Sequence, residues 1–157
     1  MRSLVRPTLM LLAVFTSLVL LAPPSGAMVG GLRAGFSGDP DQFVFGGQIE
    51  PNPIAENIHI VPSAEVGLGD ELFSIAFQGD FQYRFRTDSG IRPYAGAGLA
   101  LTYFDPDNEN ADSDTEFGVN AVGGLYFGRS TPMFVDLKLG LTDEVPDFKV
   151  VFGINFL

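Results

Sequence analysis

The 157-residue chain has no cysteine and no tryptophan, one histidine, and only nine Lys and Arg against nineteen Asp and Glu. Each shortage removes a class of explanation. Without cysteine there are no disulfides, no thiolate metal sites and no lipid-bearing cysteine of a lipoprotein. So few basic residues exclude binding to a nucleic-acid backbone, which needs clustered Lys and Arg. Beyond residue 27 no apolar run approaches the roughly 20 residues of a membrane helix, and no segment keeps a 3.6-residue apolar period over the length of a helix.

What is present begins with an export signal. Arg2 and Arg6 form a charged start, Leu9 to Ala22 is apolar, Pro23-Pro24 ends the run, and Ser25-Gly26-Ala27 offers small residues for cleavage. Those are the three parts of a secretory signal peptide. Residues 1–27 are therefore expected to be removed, leaving residues 28–157 as one domain. The remaining seven basic residues against nineteen acidic ones give a net charge near −12.

Eight segments of this domain place a large apolar residue at every second position. They run Val29–Phe36, Phe43–Glu50, Ile58–Leu68, Leu72–Arg86, Pro93–Phe104, Glu116–Gly128, Met133–Leu141 and Phe148–Phe156, with turn-formers such as Asp88-Ser89-Gly90 and Val145-Pro146-Asp147 between them. A strand sends successive side chains to opposite faces, so each segment has two. One face is apolar, as in Phe148, Val150, Phe152, Ile154 and Phe156. The other carries Gly, Ser, Gln and charges, as in Arg33, Gly35, Glu65, Gln78, Asp80, Gly98, Asn120 and Lys138. The expected fold is all-β, with antiparallel hairpins between neighbours.

Alternation alone leaves the inward face open. A lipocalin-like soluble calyx, binding a small apolar ligand, keeps its apolar face inside. A transmembrane β-barrel turns it toward lipid. The second face is poor in lysine and rich in small side chains, which suits the narrow interior of an eight-stranded barrel. Many apolar-face aromatics, including Phe36, Phe43, Phe73, Tyr103, Phe117, Phe127 and Phe156, lie near strand ends, where membrane barrels carry aromatic girdles. Both features point to an eight-stranded antiparallel up-and-down transmembrane β-barrel. An even strand count puts both termini at one end. The connections at the far end (37–42, 69–71, 105–115 and 142–147) are acidic and hold no Lys or Arg, whereas Arg86, Arg92 and Arg129 border the near-end turns.

Across residues 28–157 the sequence resembles the eight-stranded outer-membrane β-barrel family, OmpX-like and similar to the OmpA membrane domain. The resemblance rests on Arg92-Pro93-Tyr94-Ala95-Gly96-Ala97-Gly98-Leu99, like a strand opening of that family, and on the final Phe152-Gly153-Ile154-Asn155-Phe156. It implies residence in the bacterial outer membrane, contact with outer-membrane lipid, and assembly by the barrel-assembly machinery reading Phe152, Ile154 and Phe156. Leu157 makes the terminal aromatic penultimate. The resemblance implies no catalytic residue and no cofactor.

Three constellations could carry chemistry. Arg33, Glu50, Glu65, Asp80, Arg84, Asp136 and Lys138 share the second face and would meet in one narrow lumen. Buried charges are costly unless paired, so they are expected to form a salt-bridged plug; a narrow polar pore is the alternative. The loop Asp105 to Glu116 has acids at positions 1, 3, 5 and 12 of an EF-hand spacing, but Asn110 takes the glycine slot and strands flank it, so a solvated acidic loop is the expectation rather than a calcium site. His59 could serve a lipid-modifying hydrolase, but Ser63 lies roughly 13 Å along the strand, too far for nucleophile and base. The expected function is a non-enzymatic barrel with a structural or surface-interacting role.

Overall fold

The structure is a computed structural model describing residues 28–70, 72–106, 113–128 and 130–156. The expected signal peptide lies outside the described residues, as do 107–112 of the acidic loop. Eight strands follow in order: β1 (Val29–Gly38), β2 (Gln42–Glu50), β3 (Ile58–Gly69), β4 (Leu72–Arg84), β5 (Ile91–Pro106), β6 (Asp114–Phe127), β7 (Met133–Gly140) and β8 (Phe148–Phe156). Each pairs antiparallel with the next, and β8 returns to β1 through pairs such as Phe152 with Ala34 and Ile154 with Leu32. The sheet therefore closes into a barrel with no free lateral edge.

The strand limits differ modestly from the alternation pattern. β5 outruns it because Asp105 and Pro106 still pair with Phe73 and Leu72 of β4, and β6 because Asp114 and Thr115 pair with Phe104 and Tyr103 of β5. β4 stops at Arg84, two residues early, where Thr87, Ser89 and Ile91 close a local hydrogen-bonded turn. On the far side, β6 extends past the end of β7, whose ladder with it starts at Asn120 opposite Gly140.

Exposure decides the orientation of the wall. The alternate large residues point outward: Phe43 is 71% exposed, Phe117 59% and Leu99 52%. The intervening polar residues are buried, among them Arg33, Gln48, Glu65, Gln78, Asp80, Gln82 and Lys138. An apolar exterior around a polar interior is the inverse of a soluble calyx, and the closed ladder pairs each strand on both sides, as a bilayer demands. Aromatics gather at both rims. Phe36 meets Phe43 at 5.7 Å and Phe148 at 6.4 Å at the far end, and Tyr83 meets Phe85 at 5.1 Å at the near end.

Leu137 tests the orientation. It projects outward from the middle of β7, the shortest strand at 8 residues, so any bilayer that the barrel spans covers it. Leu137→Arg is expected to cost about 2–4 kcal/mol of folding free energy in lipid, measured by urea titration in bilayers. A change near zero would place this face outside the membrane.

Candidate functional site

The lumen gathers side chains from all eight strands because inward residues recur at every second position of each. Its mid-level holds the tightest cluster. Glu65 on β3 is ion-paired with Arg33 Nε of β1 at 2.8 Å, and accepts from Lys149 Nζ of β8 at 2.6 Å and Gln78 Nε2 of β4 at 2.7 Å. Arg33 also donates to Asp136 Oδ2 at 3.0 Å and to Gln48 Oε1 at 3.1 Å. Lys138 on β7 reaches Asp80 Oδ2 at 2.6 Å and Gln78 Oε1 at 2.7 Å.

Toward the near end, Gln48 donates to Asn155 Oδ1 at 3.0 Å, and Asn155 donates to Glu50 Oε2 at 3.1 Å. Glu50 pairs with Arg84, whose guanidinium also donates to the Tyr126 hydroxyl and to Gln82 Oε1. One chain of ion pairs and hydrogen bonds thus runs from Lys149 to Arg84 across the barrel. Charge-assisted bonds of this kind compensate the desolvation of each ion only when its other valences are also met.

All seven charged residues singled out in the sequence face this lumen, Glu50 and Arg84 nearest its near mouth. The sequence reasoning missed an eighth, Lys149, which is buried and bound to Glu65. Its inclusion balances the lumen: Arg33, Arg84, Lys138 and Lys149 against Glu50, Glu65, Asp80 and Asp136. A signal was available, since Lys149 has the parity of Val151, Gly153 and Asn155, and seven charges leave one carboxylate in excess.

Aromatics also enter the interior. Tyr94, Tyr126 and Phe134 are buried near the start of β5, the end of β6 and the start of β7, with ring separations of 5.0 and 5.5 Å. The Arg84 guanidinium lies 4.1 Å from the centre of the Tyr126 ring, and that of Arg33 5.9 Å from Phe134. Glycines make the room. Any side chain at Gly153 would run into the Phe134 ring, and one at Gly124 into Tyr94. The near half of the lumen is therefore packed with rings and guanidinium planes, a cation–π arrangement that suits Arg.

The other candidates are spread out. His59 is half-buried with Nδ1 3.6 Å from Glu50 Oε1. Ser63 is buried on the same face of β3, beyond Val61, and its hydroxyl finds no hydrogen-bond partner among the described residues. Glu65 and Asp80 each hold their own cations rather than each other. Among the described residues no group of three His, Cys, Asp or Glu is placed to hold a metal. Phe152, Ile154 and Phe156 sit on the outer face of β8, paired with Ala34, Leu32 and Gly30 of β1.

No family model and no curated protein matches the chain. Solved structures do. Neisserial surface protein A superposes with a TM-score of 0.63 at 12% identity, over 82% of this chain and 94% of that one. The N-terminal β-barrel domain of Pseudomonas aeruginosa OprF gives 0.62 at 20% identity, over 84% and 98%. This chain has the eight-stranded outer-membrane β-barrel fold. The Yersinia pestis outer membrane protein Ail, in a phospholipid bilayer nanodisc, adds a match of 0.51 at 13% identity, over 84% and 99%. With the apolar exterior, this makes the protein a membrane-spanning barrel of the bacterial outer-membrane type. At such low identities the likeness is one of fold, and the lumen side chains must speak for themselves.

Proposed function

We propose that the protein is a non-enzymatic outer-membrane barrel whose lumen is plugged by its own side chains and which acts through architecture and its external surface. The carrying observation is the balanced interior, in which four cations and four carboxylates occupy one connected network. Such a network resists a solute path, because passage would require several short ion pairs to open together. It also fixes register, since shifting one strand by one residue would expel its charges to the lipid face.

The ends supply the surface role. Far-end positions carry Asp39, Asp41, Asp70, Asp105, Asp114, Glu116, Asp143, Glu144 and Asp147, with no Lys or Arg among the described residues there. In this reading the acidic end faces outward and the short near-end turns face the periplasm. Residues 1–27 export the chain, and the barrel-assembly machinery reads Phe152, Ile154 and Phe156. His59 then serves as a near-mouth polar partner of Glu50, with no nucleophile beside it among the described residues.

The test is Arg33→Met in the full barrel reconstituted in lipid. Arg33 is the guanidinium shared by Glu65, Asp136 and Gln48. Its loss is expected to lower stability by about 2–3 kcal/mol, since Asp136 loses its cation while Glu65 keeps Lys149. Native protein should show a heat-modifiable gel shift and no single-channel current. Unchanged stability together with new conductance would replace the plug with a gated pore.

A further inference from the structure

The two halves of the lumen are built differently. Rings and guanidiniums fill the near half, whereas the far half contains two small cavities of about 10 and 20 Å³. Each is about the size needed for one water. The first lies among Gln42, Glu65, Ser74, Thr102 and Lys149. The second lies among Gln78, Thr102, Asn120, Lys138 and Lys149. Its wall includes an unmet acceptor: Asn120 is 4% exposed, and its Oδ1 has no hydrogen-bond partner among the described residues.

Pro146 lines both cavities and Val145 lines the second, so their ceiling is the β7–β8 connection. That connection is acidic and exposed at Asp143, Glu144 and Asp147, yet Val145 between them is only 6% exposed. It sits in a notch made by two glycines on adjacent strands. A Cβ at Gly118 would stand 2.5 Å from Val145 Cγ1, and one at Gly140 would stand 2.7 Å from Pro146 O. The ends of the connection are tied down. Leu141 N–H donates to Val119 O at 2.9 Å, Val119 N–H donates to Thr142 Oγ1 at 3.1 Å, and Gly140 N–H donates to Asp147 O at 2.9 Å. In its middle Val145 N–H donates to Thr142 O at 3.4 Å within the connection, and the Val145 side chain is the apolar foothold on the strands.

We propose that the far half of the lumen is a hydrated chamber roofed by a releasable latch, Val145 seated against Gly118 and Gly140. Water is the ligand of the latched chamber, meeting Asn120 Oδ1 and the spare valences of Lys138 and Lys149. Release of Val145 admits small polar solutes from the acidic end as far as the two lysines. They go no further, because the Tyr94, Tyr126 and Phe134 rings close the near half. The barrel is then a blind cup. This goes beyond the plug reading, which assigns no difference between the halves.

The absence of native cysteine makes the test direct. Thr102→Cys places a thiol between the cavities, and Val61→Cys places one on the inner face of β3 toward the near end. Both are made in the full barrel in lipid nanodiscs, with a charged methanethiosulfonate reagent added. Thr102→Cys should label slowly in the native latch and about tenfold or more faster with Val145→Ser, which removes one buried apolar foothold. Gly118→Val, which evicts Val145 sterically, should reproduce the acceleration, and the heat-modifiable gel shift verifies folding of each variant. Val61→Cys labelling should not change. Equal Thr102→Cys rates with and without the latch substitutions would overturn the latch. Faster Val61→Cys labelling would overturn the closed near half. Planar-bilayer current from the native barrel would instead refute the plug and is read separately.

Discussion

Replacing Glu65 by Gln is expected to cost the barrel about 3–5 kcal/mol, because it leaves a buried cation without its counter-charge. The reason lies in how unevenly the network is shared. Arg33 retains Asp136 at 3.0 Å when Glu65 is neutralised. Lys149 retains nothing comparable, since Glu65 is its only carboxylate partner among the described residues, at 2.6 Å, and the lysine is 7% exposed. An ammonium held in that position either recruits water through the far cavities or forces the strands apart. Circular dichroism through a urea titration reads the loss in a chain without tryptophan. Adding Lys149→Met to Glu65→Gln should recover a large part of the deficit, because an apolar replacement of a whole buried pair is often neutral. A loss below about 1 kcal/mol for the single variant would mean that the lumen is wet enough to screen the charges, and the plug would lose its physical basis.

Glu65 also shows how far the sequence could be read. Its place on the polar face follows from parity alone: Ala64, Val66 and Leu68 point one way, and Ser63, Glu65 and Gly67 the other. The same rule gathers the charged residues named from the sequence on one face, because a strand wall leaves only two directions for a side chain; the small residues of that face and the end-placed aromatics of the other turn it inward. Partners are another matter. Arg33 meets Asp136, which is 103 positions away, and Lys149 meets Glu65 across 84. Those distances depend on barrel closure and strand stagger, which alternation does not encode.

Val145 was hidden for a related reason. Val145-Pro146-Asp147 reads as a turn, and whether an apolar turn residue lies over a barrel mouth depends on Gly118 and Gly140 opposite it. Tyr94, Tyr126 and Phe134 are harder still. They break the rule that aromatics belong to the lipid face, and only the cross-strand glycines reveal that large and small side chains are being matched inside. Phe134 with Gly153 is the clearest such pair, and the two are direct partners in the β7–β8 register.

That pair carries the other large expected effect. Phe134 is the largest fully buried side chain, at 0% exposure, and its ring covers Gly153 while touching the Tyr126 ring at 5.5 Å. Phe134→Ala is expected to lose about 3–5 kcal/mol, the cost of a deleted core ring and the void it leaves. The void is unusual in its surroundings. On one side lies the Arg33 guanidinium, 5.9 Å from the ring centre, and on the other Tyr126, stacked under Arg84. A dry apolar cavity would leave Arg33 facing nothing, so water should enter from the near mouth and weaken the Arg33 to Asp136 bond. Phe134→Leu keeps most of the volume and loses the ring face, and should cost roughly half as much. The difference between the two variants therefore separates packing from cation–π attraction, read as unfolding midpoints in bilayers. If Phe134→Ala left stability within about 1 kcal/mol of native, the ring would not be what closes the near half. The lumen would then depend on its ion pairs alone.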